Sequence, residues 1–249
     1  MSTTALWLTH AQLITPKGIV AGALQVADGQ IAAIRRVAPK GAASLHLHGA
    51  SLAPGLIDLH VWGEPAAVAR EAVRHGTTAF LTTLGPEPPR RLLATVGARA
   101  RVNTLGANCL GLHLEGPFLA PARGGALPKR WMRASTSAEL QRLASAAPGR
   151  LKLVTLAPEL PGAREAIRWC RRQGITVSLG HSDADSTTAL RAVDAGARAV
   201  THAFNGMRPF HHREPSLLDV ALTEPRLTTM VIADGIHVKI GRASCRERV

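Results

Sequence analysis

Tyrosine is absent from this chain of 249 residues, and phenylalanine and tryptophan bring the aromatic share to only 3%. Ala, Leu and Val must therefore fill the core that a hydrophobic content of 46% allows. Few aromatic residues, and basic residues that are scattered rather than clustered, argue against a nucleic-acid partner. The formal net charge of +13 favours binding of small anions such as phosphate, or is a bias of composition.

Cysteines are few, and no two of them form a CxxC pair. The odd number, made up of Cys109, Cys170 and Cys245, excludes a complete disulfide framework and indicates a reducing, cytoplasmic setting. The N-terminus lacks a basic segment followed by a long apolar run, so we expect no signal peptide. No stretch approaches about 18 uninterrupted apolar residues, so we expect no membrane partner either.

The order of strand-like and helix-like segments predicts the fold class. Apolar and polar positions alternate from about Ala5 to Arg36, with a hairpin turn at Asp28-Gly29, and predict a small N-terminal β-sandwich portion over residues 1–50. From residue 51 to 238, strand and helix patterns alternate about seven times, which is typical of a parallel sheet. No glycine-rich phosphate loop follows the first strand, which disfavours a doubly wound sheet. We therefore predict an α/β fold, a TIM-type (β/α)8 barrel that is incomplete and lacks its eighth strand.

Three strand ends carry residues that could bind a metal ion. The run Leu112–Phe118 places Glu115 at the end of an apolar strand, where an unpaired carboxylate is costly. His181 and His202 each follow a later strand. Strand ends of a parallel sheet meet at one edge, so one Glu and two His predict a site with three protein ligands and an open fourth position. The alternative is a salt-bridged acid beside two hydrogen-bonded core histidines.

Six motifs occur in one order between about residue 50 and residue 238. They are Pro54-Gly55-Leu56-Ile57-Asp58-Leu59-His60, His113-Leu114-Glu115-Gly116-Pro117-Phe118, Gly180-His181-Ser182, Thr201-His202-Ala203-Phe204-Asn205-Gly206-Met207, His211-His212-Arg213-Glu214-Pro215 and Ala233-Asp234-Gly235-Ile236-His237. Together they resemble the N-acetylglucosamine-6-phosphate deacetylase family of the amidohydrolase superfamily. Any one motif alone would be a weak signal, whereas six in order are a strong one.

The resemblance implies a metal-dependent hydrolysis of the acetamide of a phosphorylated amino sugar. It implies that Glu115, His181 and His202 hold one divalent ion, most often Zn²⁺. It also implies substrate contacts from four positions, of which Arg213 reaches the phosphate from a partner subunit in family homodimers; the four are Asn205, Gly206, Arg213 and His237. Two further candidates are His60 and His212, whereas His113 is expected to be structural.

The sequence departs from the family pattern at three places. His60-Val61-Trp62 stands where many amidohydrolases have a metal-binding HxH, which argues for one metal ion rather than two. Leu127 stands where the family has a substrate-contacting histidine. The family's catalytic aspartate lies on the eighth strand, so no catalytic residue is expected in this chain, for which Asp58 and Asp234 are not substitutes. We therefore expect the chain as given to be inactive and its full-length parent to be active.

The end of the chain carries a further expectation. Residues 239–249 no longer resemble the family and are predicted to be a non-native read-through tail, in which Cys245 has no biological meaning.

Two other functions stay open from the sequence. One is another amidohydrolase activity, of an N-acyl-amino-acid deacylase or a dihydroorotase-like enzyme, and the other is metal binding by an inactive homologue. Arg213 and the Asn205-Gly206-Met207 run favour the sugar phosphate over the first of these.

Overall fold

The structure is a computed structural model that describes residues 5–239 and Gly241. The chain divides into two compact units, Met1–Leu56 and Ile57–Val249. The predicted domain limits at residues 50 and 238 stay predictions. All of the predicted tail except Lys239 and Gly241 lies outside the described residues, and so does Cys245.

The first unit is a mixed sheet of five strands. They are β1 (Leu6–Thr15), β2 (Gly18–Ala27), β3 (Gln30–Arg35), β4 (Ser44–His46) and β5 (Ser51–Leu52). The order is β3-β2-β1-β4, and β5 also pairs with β1. The predicted turn at Asp28-Gly29 is confirmed, because it joins antiparallel β2 and β3 directly after the Ala27–Gln30 pair. Leu13 and Leu24 form the small apolar core of this unit with Ala11.

The second unit contains a sheet of seven strands that follow one another in chain order. They are β6 (Leu56–Val61), β7 (Thr77–Leu84), β8 (Asn108–Glu115), β9 (Leu151–Leu156), β10 (Thr176–Leu179), β11 (Ala199–Val200) and β12 (Thr228–Thr229). The sheet is parallel and curls into part of a barrel, which confirms the predicted fold class. Among the described residues, β6 and β12 are the two edges.

Six helices connect these strands. They are α1 (Pro65–Ala72), α2 (Pro89–Arg99), α3 (Ser137–Ala146), α4 (Ala163–Arg172), α5 (Ser186–Ala195) and α6 (Leu217–Thr223), and short 3₁₀ helices cover Val73–His75, Pro121–Arg123 and Lys129–Trp131. Side chains satisfy free amides at three N-termini: Thr136 accepts from Glu139, Asp185 accepts from Thr188, and Ser216 forms a capping box with Asp219. None of the described helices combines the length and apolar character needed to cross a membrane.

Aliphatic side chains between the sheet and the helices form the main core. Strands β8 to β10 are buried along most of their length because helices and the barrel interior cover them, so they lack a simple apolar–polar alternation. Leu114, Leu156 and Leu179 from these strands are fully buried with Leu140 and Ile167 from the helices. Each such side chain contributes roughly 1.5–3 kcal/mol of burial free energy.

A distortion in β8 sets the position of the strand end that carries Glu115. Gly111 has φ 153°, and a Cβ there would lie 2.2 Å from the carbonyl oxygen of Arg150. The register shifts at this point on the β7 side, and again between Leu112 and His113 on the β9 side. After these shifts, Glu115 pairs with Thr155 at the end of β9.

Strands β11 and β12 are shorter than the strand-like sequences at 199–204 and 227–233 predict. The backbone leaves the extended region directly after β11, because His202 and Phe204 have φ values of 32° and 77°. The run at 199–204 is therefore strand only at Ala199–Val200, and the remainder is a turn that carries His202. The second run pairs only at Thr228–Thr229.

Candidate metal centre

Four side chains meet at the carboxyl ends of the barrel strands. Glu115 Oε1 lies 3.0 Å from His181 Nε2 and 2.9 Å from His202 Nε2, and its Oε2 lies 2.9 Å from His60 Nε2. His60 comes from β6, Glu115 ends β8, and His181 and His202 follow β10 and β11. The structure thus brings the three predicted ligands together and adds His60, which the sequence left undecided.

Glu115 is the only anion among these four side chains, and it is buried. Burial by itself raises the pKa of Glu115, but the close contacts of its carboxylate with the ring nitrogens of His181, His202 and His60 outweigh burial and hold the pKa well below its usual range. The carboxylate is therefore charged at neutral pH. A buried carboxylate surrounded by imidazole nitrogens has the charge and the donor atoms that a divalent cation requires.

The ring orientation of His181 prepares it for metal binding. Its Nδ1–H donates to the carbonyl oxygen of Arg123 at 2.8 Å, so in the neutral ring Nε2, which lies 3.0 Å from Glu115 Oε1, is the nitrogen available to bind a cation. The Nε2 atoms of His181 and His202 lie 3.1 Å apart. Two neutral imidazoles cannot each donate to one another, whereas both can bind one cation, so the residues fit a metal ion.

His60 also fits this donor set. The ligand atoms of His60, Glu115 and His202 all lie within 4.8 Å of one another. The nitrogen and carboxylate donors suit Zn²⁺ and other borderline divalent ions rather than Ca²⁺. Asp58 holds this segment by accepting a hydrogen bond from the backbone N–H of His60 at 2.9 Å.

His113 lies beneath the cluster and is fully buried. Its Nδ1–H donates to the carbonyl oxygen of Leu59 at 3.1 Å, and its Nε2 lies 2.7 Å from the Thr155 hydroxyl. Burial first, and the neighbouring His60 second, lower the pKa of His113 to about 3. The ring is thus neutral, with both nitrogens occupied, and acts as a support under the cluster.

We predict that His113 weakens the fold in acid. Between about pH 3 and 6.5 the unfolded chain binds a proton at this position that the folded chain excludes, so stability falls as pH falls. At about pH 5 the loss is about 2 kcal/mol. In His113→Asn this loss disappears. Urea unfolding of both proteins at about pH 7.5 and about pH 5 checks it, and an equal pH dependence in the two would contradict it.

A cleft of about 820 Å³ opens above the cluster. It is lined by all four clustered side chains and by apolar residues that include Trp62 and Leu127. Both of these pack on Gly85, where an added Cβ would lie 2.7 Å from the Trp62 ring and 3.5 Å from Leu127. Trp62 is half-exposed and lines the cleft, and Leu127 places an apolar surface where the family pattern has a histidine.

The predicted substrate-contacting residues lie in two places. His237 lines the cleft, and its Nδ1 lies 2.6 Å from Asp234 Oδ2. Hydrogen bonds from the backbone and ring of His237 lower the pKa of Asp234 to about 2. The other group follows β11 and does not line the cleft. It comprises Asn205 and Gly206, which are partly buried, and Arg213 and His212, which are exposed.

A polar network that the sequence motifs did not indicate surrounds Asp183. The guanidinium groups of Arg208 and Arg123 donate hydrogen bonds to Asp183 and lower the pKa of its carboxyl group. Glu159 accepts hydrogen bonds from the Ser182 hydroxyl at 2.7 Å and from the Asp183 backbone N–H at 2.6 Å. The only local sign of this network in the sequence is the Ser182-Asp183 pair directly after His181. The residues that contact this pair, Arg123, Glu159 and Arg208, are far from it in sequence.

Comparisons with known proteins show what this chain is similar to. The model of the amidohydrolase family matches residues 51–248. N-acetylglucosamine-6-phosphate deacetylase of Bacillus subtilis is 37% identical over 94% of this chain and 64% of its own length. N-acetylgalactosamine-6-phosphate deacetylase of Escherichia coli O157:H7 is 36% identical over 86% of this chain and 60% of its own length. The chain thus spans less than two thirds of these relatives.

Solved structures of proteins with the same names are also similar to this chain. N-acetyl-D-glucosamine-6-phosphate deacetylase of Mycobacterium smegmatis superposes with a TM-score of 0.84 at 32% identity, over 99% of this chain and 67% of that one. That structure is an Asp-to-Ala variant in complex with N-acetyl-D-glucosamine 6-phosphate. N-acetylglucosamine-6-phosphate deacetylase of Pasteurella multocida has a TM-score of 0.86 at 28% identity, over 98% of this chain and 69% of that one.

Proposed function

This chain belongs to the amidohydrolase family, and from that premise we propose that it carries the metal centre of an amino-sugar-phosphate deacetylase. The reaction is hydrolysis of N-acetylglucosamine 6-phosphate to glucosamine 6-phosphate and acetate. The observation that supports it best is the convergence of Glu115, His181 and His202 at the strand ends. Two relatives, at 37% and 34% identity, carry the name of this activity.

The proposed cofactor is a single Zn²⁺ held by Glu115, His181 and His202, with His60 as a fourth candidate ligand. When bound, a divalent ion polarises the amide carbonyl and lowers the pKa of water. One ion is favoured over two because Trp62 stands where a second histidine of an HxH motif would be. The tautomer of His181, fixed by the Arg123 carbonyl, supports this assignment.

The remaining residues would bind and orient the substrate. We propose that Asn205, Gly206 and Arg213 bind the phosphate, with Arg213 contributed by the partner in a homodimer, and that His237 contacts the substrate near the amide. Arg213 is exposed and does not line the cleft, which suits a residue that acts in a second subunit. Two buried free cysteines among the described residues, Cys109 and Cys170, suit the proposed cytoplasmic location.

The proton transfer requires an additional group. We propose that an aspartate outside residues 1–249 carries it, so that the chain as given binds metal but turns over little or no substrate. The M. smegmatis structure with substrate contains an Asp-to-Ala variant, which suits such a role for an aspartate in that protein. His113 cannot take this role, because both of its ring nitrogens are already hydrogen-bonded.

A second candidate substrate is N-acetylgalactosamine 6-phosphate. One observation favours it: a relative at 36% identity carries that name. Other amidohydrolase reactions on substrates without phosphate remain the contrasting alternative.

The assay uses a longer form of the protein, extended beyond residue 249 as its gene encodes it. In this form kcat/KM is expected to be about 100-fold higher for the phosphorylated sugar than for the same sugar without phosphate, since charge-assisted contacts to phosphate are strong. The measurement compares acetate release from N-acetylglucosamine 6-phosphate, N-acetylgalactosamine 6-phosphate and unphosphorylated N-acetylglucosamine. Equal rates with and without phosphate would contradict the sugar-phosphate assignment. A higher rate on the galactose epimer would select the second candidate.

A further inference from the structure

A polar network joins the loops that follow four consecutive strands of the barrel. Asp183, after β10, is its centre: Arg123, after β8, lies 2.7 Å from Asp183 Oδ1, and Arg208, after β11, lies 3.2 Å from Asp183 Oδ2. Glu159, after β9, binds the Ser182 hydroxyl and the Asp183 backbone N–H. Asp183 is therefore held through both its side chain and its main chain.

This network contacts the metal centre through the main chain of Arg123. The carbonyl oxygen of Arg123 accepts the Nδ1–H of His181 at 2.8 Å, while the Arg123 guanidinium binds Asp183. The same segment is tied to His181 a second time, because the backbone N–H of Ala120 donates to the His181 carbonyl oxygen at 3.0 Å. Moving the Arg123 side chain would therefore move the acceptor that orients the His181 ring.

Stability alone does not explain this arrangement. The side chains of Asp183, Arg123 and Arg208 are 39%, 32% and 31% exposed. Ion pairs with this much solvent contact contribute little to the free energy of unfolding. By contrast, a partner that orients a metal-binding histidine affects metal affinity strongly, because the wrong ring angle or tautomer removes a ligand.

We propose that Asp183 is a positioning residue for the metal centre, which sets the orientation of His181 by holding Arg123. The inference rests on the proposed metal site and adds a residue that acts on this site through another residue, Arg123. Asp183 fixes the Arg123 side chain, the Arg123 carbonyl fixes the Nδ1–H of His181, and His181 Nε2 stays directed at Glu115.

The test is Zn²⁺ affinity, measured by chelator competition on the metal-free 249-residue chain. Asp183→Asn keeps the size of the side chain and removes its charge, and it is expected to bind Zn²⁺ about 10–100-fold more weakly. Asp183→Glu is expected to recover most of that affinity. Asp194→Asn is the matched control, because Asp194 also pairs with an arginine, Arg226 at 3.0 Å, but lies on α5 outside the network.

Arg123→Met tests whether both residues act through one contact. It keeps the backbone carbonyl and the aliphatic stem but loses the fork that binds Asp183. Its loss should equal that of Asp183→Asn, and the double variant should be no weaker than either, since residues in one network are not additive. The visible spectrum of bound Co²⁺ gives a second readout, which should change in both single variants and not in Asp194→Asn.

Unchanged Zn²⁺ affinity in Asp183→Asn would overturn the inference, and so would additive losses in the double variant. If Asp183→Asn does not fold, Arg123→Met decides the question by the same affinity measurement. The outcomes separate this inference from the proposed reaction. Normal Zn²⁺ affinity in Asp183→Asn refutes the positioning role alone, whereas absence of acetate release from an extended, metal-loaded form refutes the reaction alone.

Discussion

Glu115→Gln is expected to weaken Zn²⁺ binding roughly 1,000-fold, the largest effect of any single substitution in this chain. A structural zinc site with four ligands is worth about 10–16 kcal/mol, so one ligand accounts for about 3–4 kcal/mol, or two to three powers of ten. Glutamine has nearly the same shape, but it lacks the negative charge that Glu115 places in contact with His60, His181 and His202. Chelator competition on the metal-free chain measures the change.

Glu165→Gln is the control for this experiment. It makes the same chemical change on the exposed face of α4, where Glu165 is 68% exposed and pairs only loosely with Arg168 at 4.0 Å. Its Zn²⁺ affinity should equal that of the unchanged chain. Retention of Zn²⁺ by Glu115→Gln to within about tenfold would mean that the three histidines suffice without the carboxylate, and the proposed ligand set would be wrong.

Gly206→Ala should weaken Zn²⁺ binding by about 100-fold or more, the effect expected when a histidine ligand is turned away. Gly206 has φ 60°, and an added Cβ would lie 2.9 Å from His181 Nδ1 and 3.3 Å from the Arg123 carbonyl oxygen. That position falls on the hydrogen bond that orients His181. The ring must turn, and its Nε2 then leaves the cluster.

Gly235→Ala separates the collision from the backbone strain. Gly235 has a similar φ of 71°, but no atom lies within 4 Å of an added Cβ. Both variants should lose about 1 kcal/mol of unfolding free energy from the left-handed backbone, and only Gly206→Ala should lose Zn²⁺. Equal Zn²⁺ affinity in the two variants would contradict this account of His181.

The features that could be predicted from the sequence depend on residues that are close together in the chain. Leu112 and Leu114 mark a buried strand, and an acidic residue at its end predicts a polar site, because a buried carboxylate needs partners. Thr136 and Asp185 cap their helices for a similarly local reason, since such side chains accept hydrogen bonds from the first free amides of a helix. The alternation of strand and helix patterns then indicates the parallel sheet and places the polar residues at one edge.

The less predictable part depends on long-range geometry. His60 lies 55 residues from Glu115 in sequence, and only the curl of the sheet from β6 to β8 brings their side chains to 2.9 Å. Asp183 and Arg123 are separated by 60 residues, and their contact depends on how two loops cross. The short β11 results from the left-handed backbone at His202, which the strand-like pattern of residues 199–204 does not indicate.

The measurement that tests the central claim most directly is acetate release from N-acetylglucosamine 6-phosphate with added Zn²⁺. The 249-residue chain is assayed beside a form extended along its gene and beside the Glu115→Gln variant of that extended form. The account predicts release by the extended form alone, and loss of that release in Glu115→Gln. Absence of release from the extended, metal-loaded form, or release that survives Glu115→Gln, would contradict it.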